Sequence, residues 1–585
     1  MWTRSFPAVV SLAFAFTTAT AGDMSTLKLV PVQANLVIQF ENPRTAVETF
    51  LNHDVTKQTL QLPFVRRQLE TPDFEKFLYL IEYYEKDLGA KWPEMIEKLA
   101  GGGLTISAKA GGDNAPLLIF FHGTDEAFTK RFLELLLDVV AKEQERTEAK
   151  ERTKTATYRG VQAWGLDKNA LLTRLGRTLV FANNNDAMKA VIDLHVAGGK
   201  SLADKADVAE ARKSLPADCH AWLWLDLDIA RQSKEAKEQF SFPANDPLQV
   251  TILGGWANTV IRSKYLCGAL YQAGDDYTLS FRLNAGRDGM PEALALHVPP
   301  KGQTGSLPLL QPKGTLYSQS FYYDIAALWE KRRLLFNEKI AKSFEDSEKQ
   351  VAPFLPGTSL SKILTQAGAH HRVVVVSHVN KGYQTKPSQI FPAGAFVTKM
   401  RDPKFARSFE GVLRAAALAA TTQFQMRMND EMHGDVKIVY YRFDEKAKVD
   451  GDPNNTRFNF TPCFATLNDQ FIVCSNVELC RELIDLLKIE YRSSVHENSP
   501  AAFRGRFYSA GGADLLKSFE DQLLAELMLS QAVPPDRAKK QAEQIMQFAR
   551  GIGELHLQAD YGVNETRLEA IWKRPAIGKE RKIQK

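Results

Sequence analysis

The order of hydrophobic segments and turn signals along the 585-residue chain occurs twice. The closest likeness lies between residues 179–184, which read LVFANN, and residues 471–476, which read FIVCSN. A two-residue turn signal precedes each segment, Gly176-Arg177 in the first copy and Asn468-Asp469 in the second. Turns of this length favour β-hairpins. The hairpins would pair Leu171 with Ala182 and Cys463 with Cys474.

A helix is predicted directly after each of these hairpins. Ser475 followed by Glu478 has the spacing of a capping box, and Asn183 followed by Asp186 is a looser version of it. The sequence therefore places a helix start at the same point of both copies.

These patterns predict an α+β fold of two tandem homologous units, each a mainly antiparallel sheet with helices packed on it. The first repeat unit is expected over residues 22–298 and the second over 314–573. Residues 299–313 are rich in proline and glycine and are expected to form a linker. The composition, with 44% hydrophobic and 24% charged residues, is typical of a folded globular protein.

The first 21 residues have the features of a secretory signal peptide. Arg4 precedes the apolar run Phe6–Phe16, and small residues follow up to Ala21. We expect cleavage between Ala21 and Gly22, with an uncleaved N-terminal anchor as the alternative. The mature protein would then be exported to the periplasm or the extracellular space.

The net charge of +5 is concentrated at the C-terminus, since residues 573–585 hold six basic residues and one acidic residue. The rest of the mature chain is nearly neutral, so no nucleic-acid partner is expected. Residues 574–585 are expected to form a basic disordered tail that could contact the cell envelope. Later in the chain, no apolar segment reaches about 18 residues, so no integral membrane span is expected after cleavage.

A pair of acidic residues is the candidate for catalysis. Asp226 and Asp228 stand two apart on a predicted strand and would share a face with Trp222 and Trp224, as in a carbohydrate-cleaving site. The competing interpretation is structural. Asp228 would cap the next helix, as Asp514 would in the second copy, and the tryptophans would pack beneath that helix.

Three histidines close together in the sequence are candidates for a metal site. His370, His371 and His378 flank a predicted strand, which would place the first and last about 26 Å apart, so they cannot share one ion. Histidines at strand ends in contact with water are the expected alternative. The sequence therefore predicts neither a metal site nor a cofactor.

The five cysteines have a different significance in an exported chain. The predicted turn sets Cys463 opposite Cys474, with Cα atoms about 4.5–5.5 Å apart, a separation that a disulfide can span. Cys480, in the next helix, is a rival partner for Cys474. Cys219 and Cys267 have no evident partners.

With its signal peptide, its Pro31–Phe40 opening and its Gly101-Gly102-Gly103 segment, the chain resembles a group of large exported bacterial proteins. These are known only as a domain of unknown function, notably in planctomycete-type bacteria. The resemblance covers most of the mature chain. It implies no catalytic residues.

The sequence thus favours an exported, non-enzymatic binding or scaffolding protein of unknown partner. One alternative is a hydrolase of envelope or extracellular polymers that uses Asp226 and Asp228. Another is a soluble ligand carrier with a cleft between the two units.

Overall fold

The structure is a computed structural model, and it describes residues 24–109, 115–149, 152–167, 169–232, 243–355, 357–377, 380–447, 449, 451–493 and 498–574. The expected cleavage site at Ala21 and Gly22, His378 and residues 575–585 of the basic tail lie outside these ranges. The chain divides into two compact units. Unit 1 comprises Met1–Ala236 and Ser263–Asn284, and unit 2 comprises Lys237–Arg262 and Ala285–Lys585.

Unit 1 contains ten strands among its described residues, and all neighbouring strands are antiparallel. The spatial order is β4-β5-β6-β7-β3-β2-β1-β8-β9-β10. The strands are β1 Leu36–Phe40, β2 Leu104–Ala108, β3 Leu117–His122, β4 Lys154–Tyr158, β5 Val161–Asp167, β6 Ala170–Leu175, β7 Thr178–Ala182, β8 Ala221–Asp226, β9 Tyr265–Ala273 and β10 Asp276–Leu283.

The helices of unit 1 cover the two faces of this sheet unequally. A 3-10 helix at Met24–Leu29 and helices α7 and α8 bury their apolar side chains against one face, while α6 covers one end of the other. A second 3-10 turn spans Leu202–Asp204. The α-helices are α1 Pro43–Asn52, α2 Asp54–Gln61, α3 Pro63–Leu69, α4 Pro72–Leu88, α5 Trp92–Ala100, α6 Glu126–Arg146, α7 Asn185–Ala197, α8 Ala206–Ser214 and α9 Leu227–Ala230.

Unit 2 also contains ten strands among its described residues, again with all neighbours antiparallel. The spatial order is β14-β15-β16-β17-β13-β12-β11-β18-β19-β20. The strands are β11 Thr315–Tyr322, β12 Ala367–Val376, β13 Ala393–Met400, β14 Met426–His433, β15 Val436–Phe443, β16 Cys463–Leu467, β17 Gln470–Cys474, β18 Phe503–Tyr508, β19 Glu554–Tyr561 and β20 Thr566–Lys573.

Helices cover both faces of the unit 2 sheet at the end where β16 and β17 lie. Helix α16 packs on one face through Leu479, Leu483 and Ile484, and α15 packs on the other through Phe405. The α-helices are α10 Pro247–Arg262, α11 Ile325–Glu330, α12 Arg332–Leu335, α13 Glu338–Val351, α14 Leu360–Gln366, α15 Lys404–Phe424, α16 Val477–Arg492, α17 Ser509–Ser518, α18 Glu520–Gln531 and α19 Pro535–Gly551. Three 3-10 turns span Glu292–His297, Ala352–Phe354 and Thr456–Asn459.

The two sheets have the same order of strands, since each strand number in unit 2 exceeds its counterpart in unit 1 by ten. The two predicted hairpin registers are confirmed. Leu171 pairs with Ala182 across the Gly176 turn, and Cys463 pairs with Cys474 across the Asn468 turn. Gly176 and Asn468 both have a positive φ, as such short turns require.

The borders of the units differ from those expected. Residues 237–262 and 285–298 belong to unit 2, because Ala244, Val250 and Leu294 share a core with Phe336. Helix α10 ends at Arg262, and β9 begins at Tyr265.

The proline- and glycine-rich stretch 299–313 was expected to be a linker and instead packs into unit 2. Leu307 and Leu310 are buried, and the Ser306 hydroxyl accepts a hydrogen bond from Arg504 Nε at 2.9 Å. The stretch packs there because it carries apolar side chains that are stabilised by burial in unit 2. In the part of the chain that the structure describes, no helix has both the length and the apolar character needed to cross a bilayer.

Candidate functional site

The acidic pair singled out in the sequence does not form a site with two facing carboxylates. Asp226 ends β8 and is buried, and its carboxylate forms an ion pair with Lys205 and accepts the N–H of Asp228 at 3.0 Å. Asp228 lies in α9 and forms an ion pair with Arg231. The strand ends two residues earlier than expected, so the two side chains do not share a strand face.

The expected correspondence between Asp228 and Asp514 is also wrong. In unit 2 the equivalent strand ends at Tyr508, and Asp514 lies within α17, where it forms an ion pair with Arg550. Asp514 therefore does not start a helix.

The two tryptophans cannot stack on a ligand, because both are buried in the core of unit 1. Trp222 is 2% exposed and Trp224 is 1% exposed. The Trp222 indole donates a hydrogen bond to Glu41 Oε1 at 2.9 Å, and the Lys205 ammonium lies 4.6 Å from the Trp224 ring centre. The structural interpretation, in which these rings pack inside the fold, is the one that the structure shows.

The histidines of β12 are also structural. His371 lies within the strand and is buried, so the expectation of a water-exposed strand end is wrong for it. Its Nε2–H donates to the carbonyl of Tyr323 at 3.0 Å, and its Nδ1 accepts from the Thr398 hydroxyl at 2.9 Å. Burial lowers the pKa of His371 to about 4. His370 contacts the carbonyl of Thr304 at 2.9 Å.

One face of the unit 1 sheet is apolar yet only half-buried. We call the following six residues the apolar row, because each lies directly opposite the next on adjacent strands and together they cross β3, β2, β1, β8, β9 and β10. The residues are Ile119, Ile106, Ile38, Leu223, Gly268 and Phe281. All but Gly268 are half-buried.

The opposite face of the same strands is sealed. Val37, Phe120 and Trp224 point to that face, and each is at most 1% exposed. The two faces therefore differ in their access to solvent. A contiguous row of apolar side chains that solvent can reach is a candidate binding surface.

Steric crowding explains why the apolar row contains a glycine. A Cβ built on Gly268 would lie 2.8 Å from the ring of Phe281, so the ring lies across the backbone at this point. The neighbouring positions on the same face, Leu36, Leu225 and Leu266, are half-buried as well. On these six strands, all described, no position of this face carries a charged side chain.

Sequence reasoning missed this face, although a signal was present. Residues 117–121 read LLIFF, with apolar residues at both alternating positions, as do residues 36–38. Such runs indicate strands that are apolar on both faces. The pattern does not report how well each face is covered, so it cannot distinguish a buried face from an accessible one.

The corresponding face of unit 2 is more polar at its centre. Gln319 takes the place of an aliphatic residue there, and its Oε1 accepts a hydrogen bond from the Tyr317 hydroxyl at 2.5 Å. Phe396 and Phe507 on this face are exposed. An uncharged aliphatic row of this kind is thus a feature of unit 1.

Three cysteines meet in the core of unit 2. The Sγ atoms of Cys463, Cys474 and Cys480 all lie within 4.8 Å of one another, and the three residues are buried. The structure holds all five cysteines as free thiols. The predicted register of Cys463 and Cys474 is therefore present without the disulfide that it would allow.

The three thiols differ in their acidity. Burial raises the pKa of Cys463 and of Cys474. Hydrogen bonds from Cys463 and Cys474 lower the pKa of Cys480. Cys480 also lies in the first turn of α16, where the N–H groups of the helix favour a negative charge. The sequence named all three cysteines but treated Cys480 as a rival partner, so the three-sulfur group was missed.

Comparison with known proteins adds little to this geometry. No family model matches the chain, and no curated protein matches it. Solved structures of the protein TP0453 are similar to part of it. Crystal form I is 9% identical over 45% of this chain and 80% of that chain, with a TM-score of 0.23. Crystal form III is 10% identical over 46% and 82%, with a TM-score of 0.23.

Proposed function

We propose that the protein is an exported, non-enzymatic binding protein that holds an apolar ligand along the apolar row of unit 1. The observation that carries this proposal is the contrast between the half-buried apolar row and the sealed opposite face. A hydrolase receives less support, because Asp226 and Asp228 each have a cationic partner within the fold.

The partial burial of the apolar row favours a narrow, flexible ligand over a protein partner. The side chains of Ile38, Ile106 and Leu223 are half-buried, so a flat protein surface would reach only part of each. A hydrocarbon chain can lie along such a row. Six strands spaced about 4.8 Å apart give the row a length of roughly 24 Å.

The uncharged, mostly apolar face favours an apolar ligand. Because the face carries no charged side chain on these strands, it offers no charged partner for the phosphates of a nucleotide. Each methylene that leaves water contributes about 0.8 kcal/mol. A lipid acyl chain is the ligand class that gains most from this surface.

We propose that the two units are tandem homologous repeats, which the shared strand order of β1–β10 and β11–β20 supports. Export to the periplasm or extracellular space is supported by Arg4, the apolar run Phe6–Phe16 and Ala21. An exported carrier of acyl chains would work beside the envelope lipids.

Binding of cis-parinaric acid, a fluorescent fatty acid, tests the proposal. The wild-type chain is expected to bind it, and Ile38→Gln and Leu223→Gln are each expected to weaken binding at least tenfold, since a buried aliphatic contact contributes roughly 1.5–3 kcal/mol. Val196→Gln is the matched control, because Val196 is an aliphatic residue that is 50% exposed on α7.

Circular dichroism and thermal melting of each variant separate a loss of binding from a loss of fold. Absence of binding by the folded wild-type chain would overturn the proposal. Equal affinity in wild type, Ile38→Gln and Leu223→Gln would overturn it too, because the ligand would then lie elsewhere.

A further inference from the structure

We propose that Cys463, Cys474 and Cys480 form a binding site for one thiophilic metal ion and that monovalent copper is the ion that suits it. The three Sγ atoms lie within 4.8 Å of one another, close enough for all three to contact a single ion placed between them. This site lies in unit 2 and is independent of the apolar row.

The elements that carry the three sulfurs fix their positions. The two-residue turn at Asn468 holds β16 and β17 in the register that sets Cys463 opposite Cys474. Helix α16 follows β17 directly, and its cap Asn476 accepts the N–H of Leu479 at 2.9 Å. Cys480 is thereby held over the same face of the hairpin, so the site is organised before any ion binds.

The position of Cys480 at the start of a helix favours the thiolate form that a metal needs. Cys480 lies at the N-terminal end of a 16-residue helix, where a negative charge is stabilised. The Cys463 thiol lies 3.3 Å from the carbonyl of Asn476 and donates to it. On binding, each coordinating sulfur releases its proton to solvent and forms a bond to the ion, with no change of oxidation state.

The ligand number decides between the common thiophilic ions. Among the described residues, the group of potential ligand atoms within 4.8 Å of one another consists of the three cysteine sulfurs, without a histidine nitrogen or a carboxylate oxygen. Structural zinc sites hold four protein ligands in a tetrahedron. Monovalent copper is a soft ion that thiolate ligands select, so three sulfurs without a fourth protein ligand suit it better.

A disulfide between Cys463 and Cys474 is the competing chemistry. It would use two of the three thiols and leave Cys480 as the remaining thiol beside the disulfide bond. The ion and the disulfide therefore exclude each other, and a count of thiols distinguishes them.

The experiment titrates the full-length mature chain with Cu(I) against the chelator bicinchoninate, under anaerobic conditions and during refolding from urea. Refolding in the presence of the ion makes an entry route into the buried site unnecessary. The wild-type chain is expected to bind one Cu(I) per molecule, with thiolate-to-copper absorption in the ultraviolet and a higher melting temperature.

Cys474→Ser and Cys480→Ser are each expected to lower the affinity for Cu(I) at least tenfold and to lose the ultraviolet absorption. Cys219→Ser and Cys267→Ser are the matched controls, because they remove equally buried thiols from unit 1 and should leave binding unchanged. Circular dichroism identifies any variant that does not fold, in which case the alanine variant at the same position replaces it.

Three results would overturn the site. The first is no Cu(I) bound by the folded, reduced wild-type chain. The second is wild-type affinity in both Cys474→Ser and Cys480→Ser. The third is a Cys463–Cys474 disulfide found by mass spectrometry in protein isolated from the exported fraction without reductant.

Discussion

At the scale of single residues, burial rather than sequence position decides what a polar side chain does. His122 on β3 contacts the Thr105 hydroxyl at 3.2 Å, and His371 on β12 contacts Thr398 and Tyr323. Burial lowers the pKa of each histidine to about 4. Both rings are therefore neutral at neutral pH and act as hydrogen-bonding parts of the sheet.

These two histidines predict a loss of stability in mild acid. Between pH 6.5 and about 4 the unfolded chain binds more protons than the folded chain, so the free energy of unfolding falls as the pH is lowered through that interval. The contribution is fully present above pH 6.5 and amounts to roughly 3 kcal/mol at most for each residue.

Urea denaturation at several pH values between 7.5 and 4 measures this effect. His122→Gln and His371→Gln are expected to reduce the dependence of unfolding free energy on pH. The exposed His195 supplies the control, since His195→Gln should keep the wild-type dependence. An unaltered dependence in His122→Gln and His371→Gln would show that these rings do not cause the acid lability.

At the scale of elements, α7 and α16 begin in the same way in the two units. Asn184 accepts the N–H of Ala187 at 2.8 Å, and Asn476 caps α16 in the same manner. The preceding residues were expected to be the caps. Instead, Asn183 accepts the N–H of Leu117 at 2.9 Å, and Ser475 likewise bonds Gly394 on the neighbouring strand. The sequence therefore located both helix starts to within one residue.

Removal of either cap is expected to lower the free energy of unfolding. Asn184→Ala and Asn476→Ala should each cost about 1 kcal/mol, because a helix N–H loses its partner. Chemical denaturation measures the cost, and hydrogen exchange should quicken at the start of the helix that lost its cap. Asp186→Ala, an exposed substitution in the same helix turn, is expected to cost less than Asn184→Ala. The reverse order would contradict the assigned caps.

At the scale of the whole molecule, the chain order and the spatial division differ. Residues 237–262 leave unit 1 and supply α10 to unit 2 before the chain returns to form β9 and β10. Nothing local marks this crossing, because α10 is an ordinary apolar helix in sequence. Its destination is decided by the core that it shares with Leu294 and Phe336.

The proposed export predicts where the mature chain begins. The mature protein recovered from the producing cell is expected to begin at Gly22, because Ala19–Ala21 has the small-residue pattern that signal peptidase cleaves. N-terminal sequencing and intact mass measure this directly. An Ala21→Asp chain, which should remain uncleaved, is the control. A wild-type product that keeps residues 1–21 would instead support an uncleaved anchor.

The sequence by itself determined the local features of this protein. The turns at Gly176 and Asn468, the two hairpin registers and the approximate starts of α7 and α16 depend on residues close to one another in the chain. Turn geometry and capping act over a few residues, so a pattern in the sequence is enough to predict them.

Only the tertiary structure decided which side chains of different elements come into contact. The pairing of Asp226 with Lys205 and the half-burial of Ile38 depend on separate elements of the fold. The approach of Cys480 to the Cys463–Cys474 pair depends on how α16 packs on the hairpin that precedes it. Burial and long-range contact are properties of the packed fold, and the same leucine or aspartate has a different role on a sealed face and an accessible one.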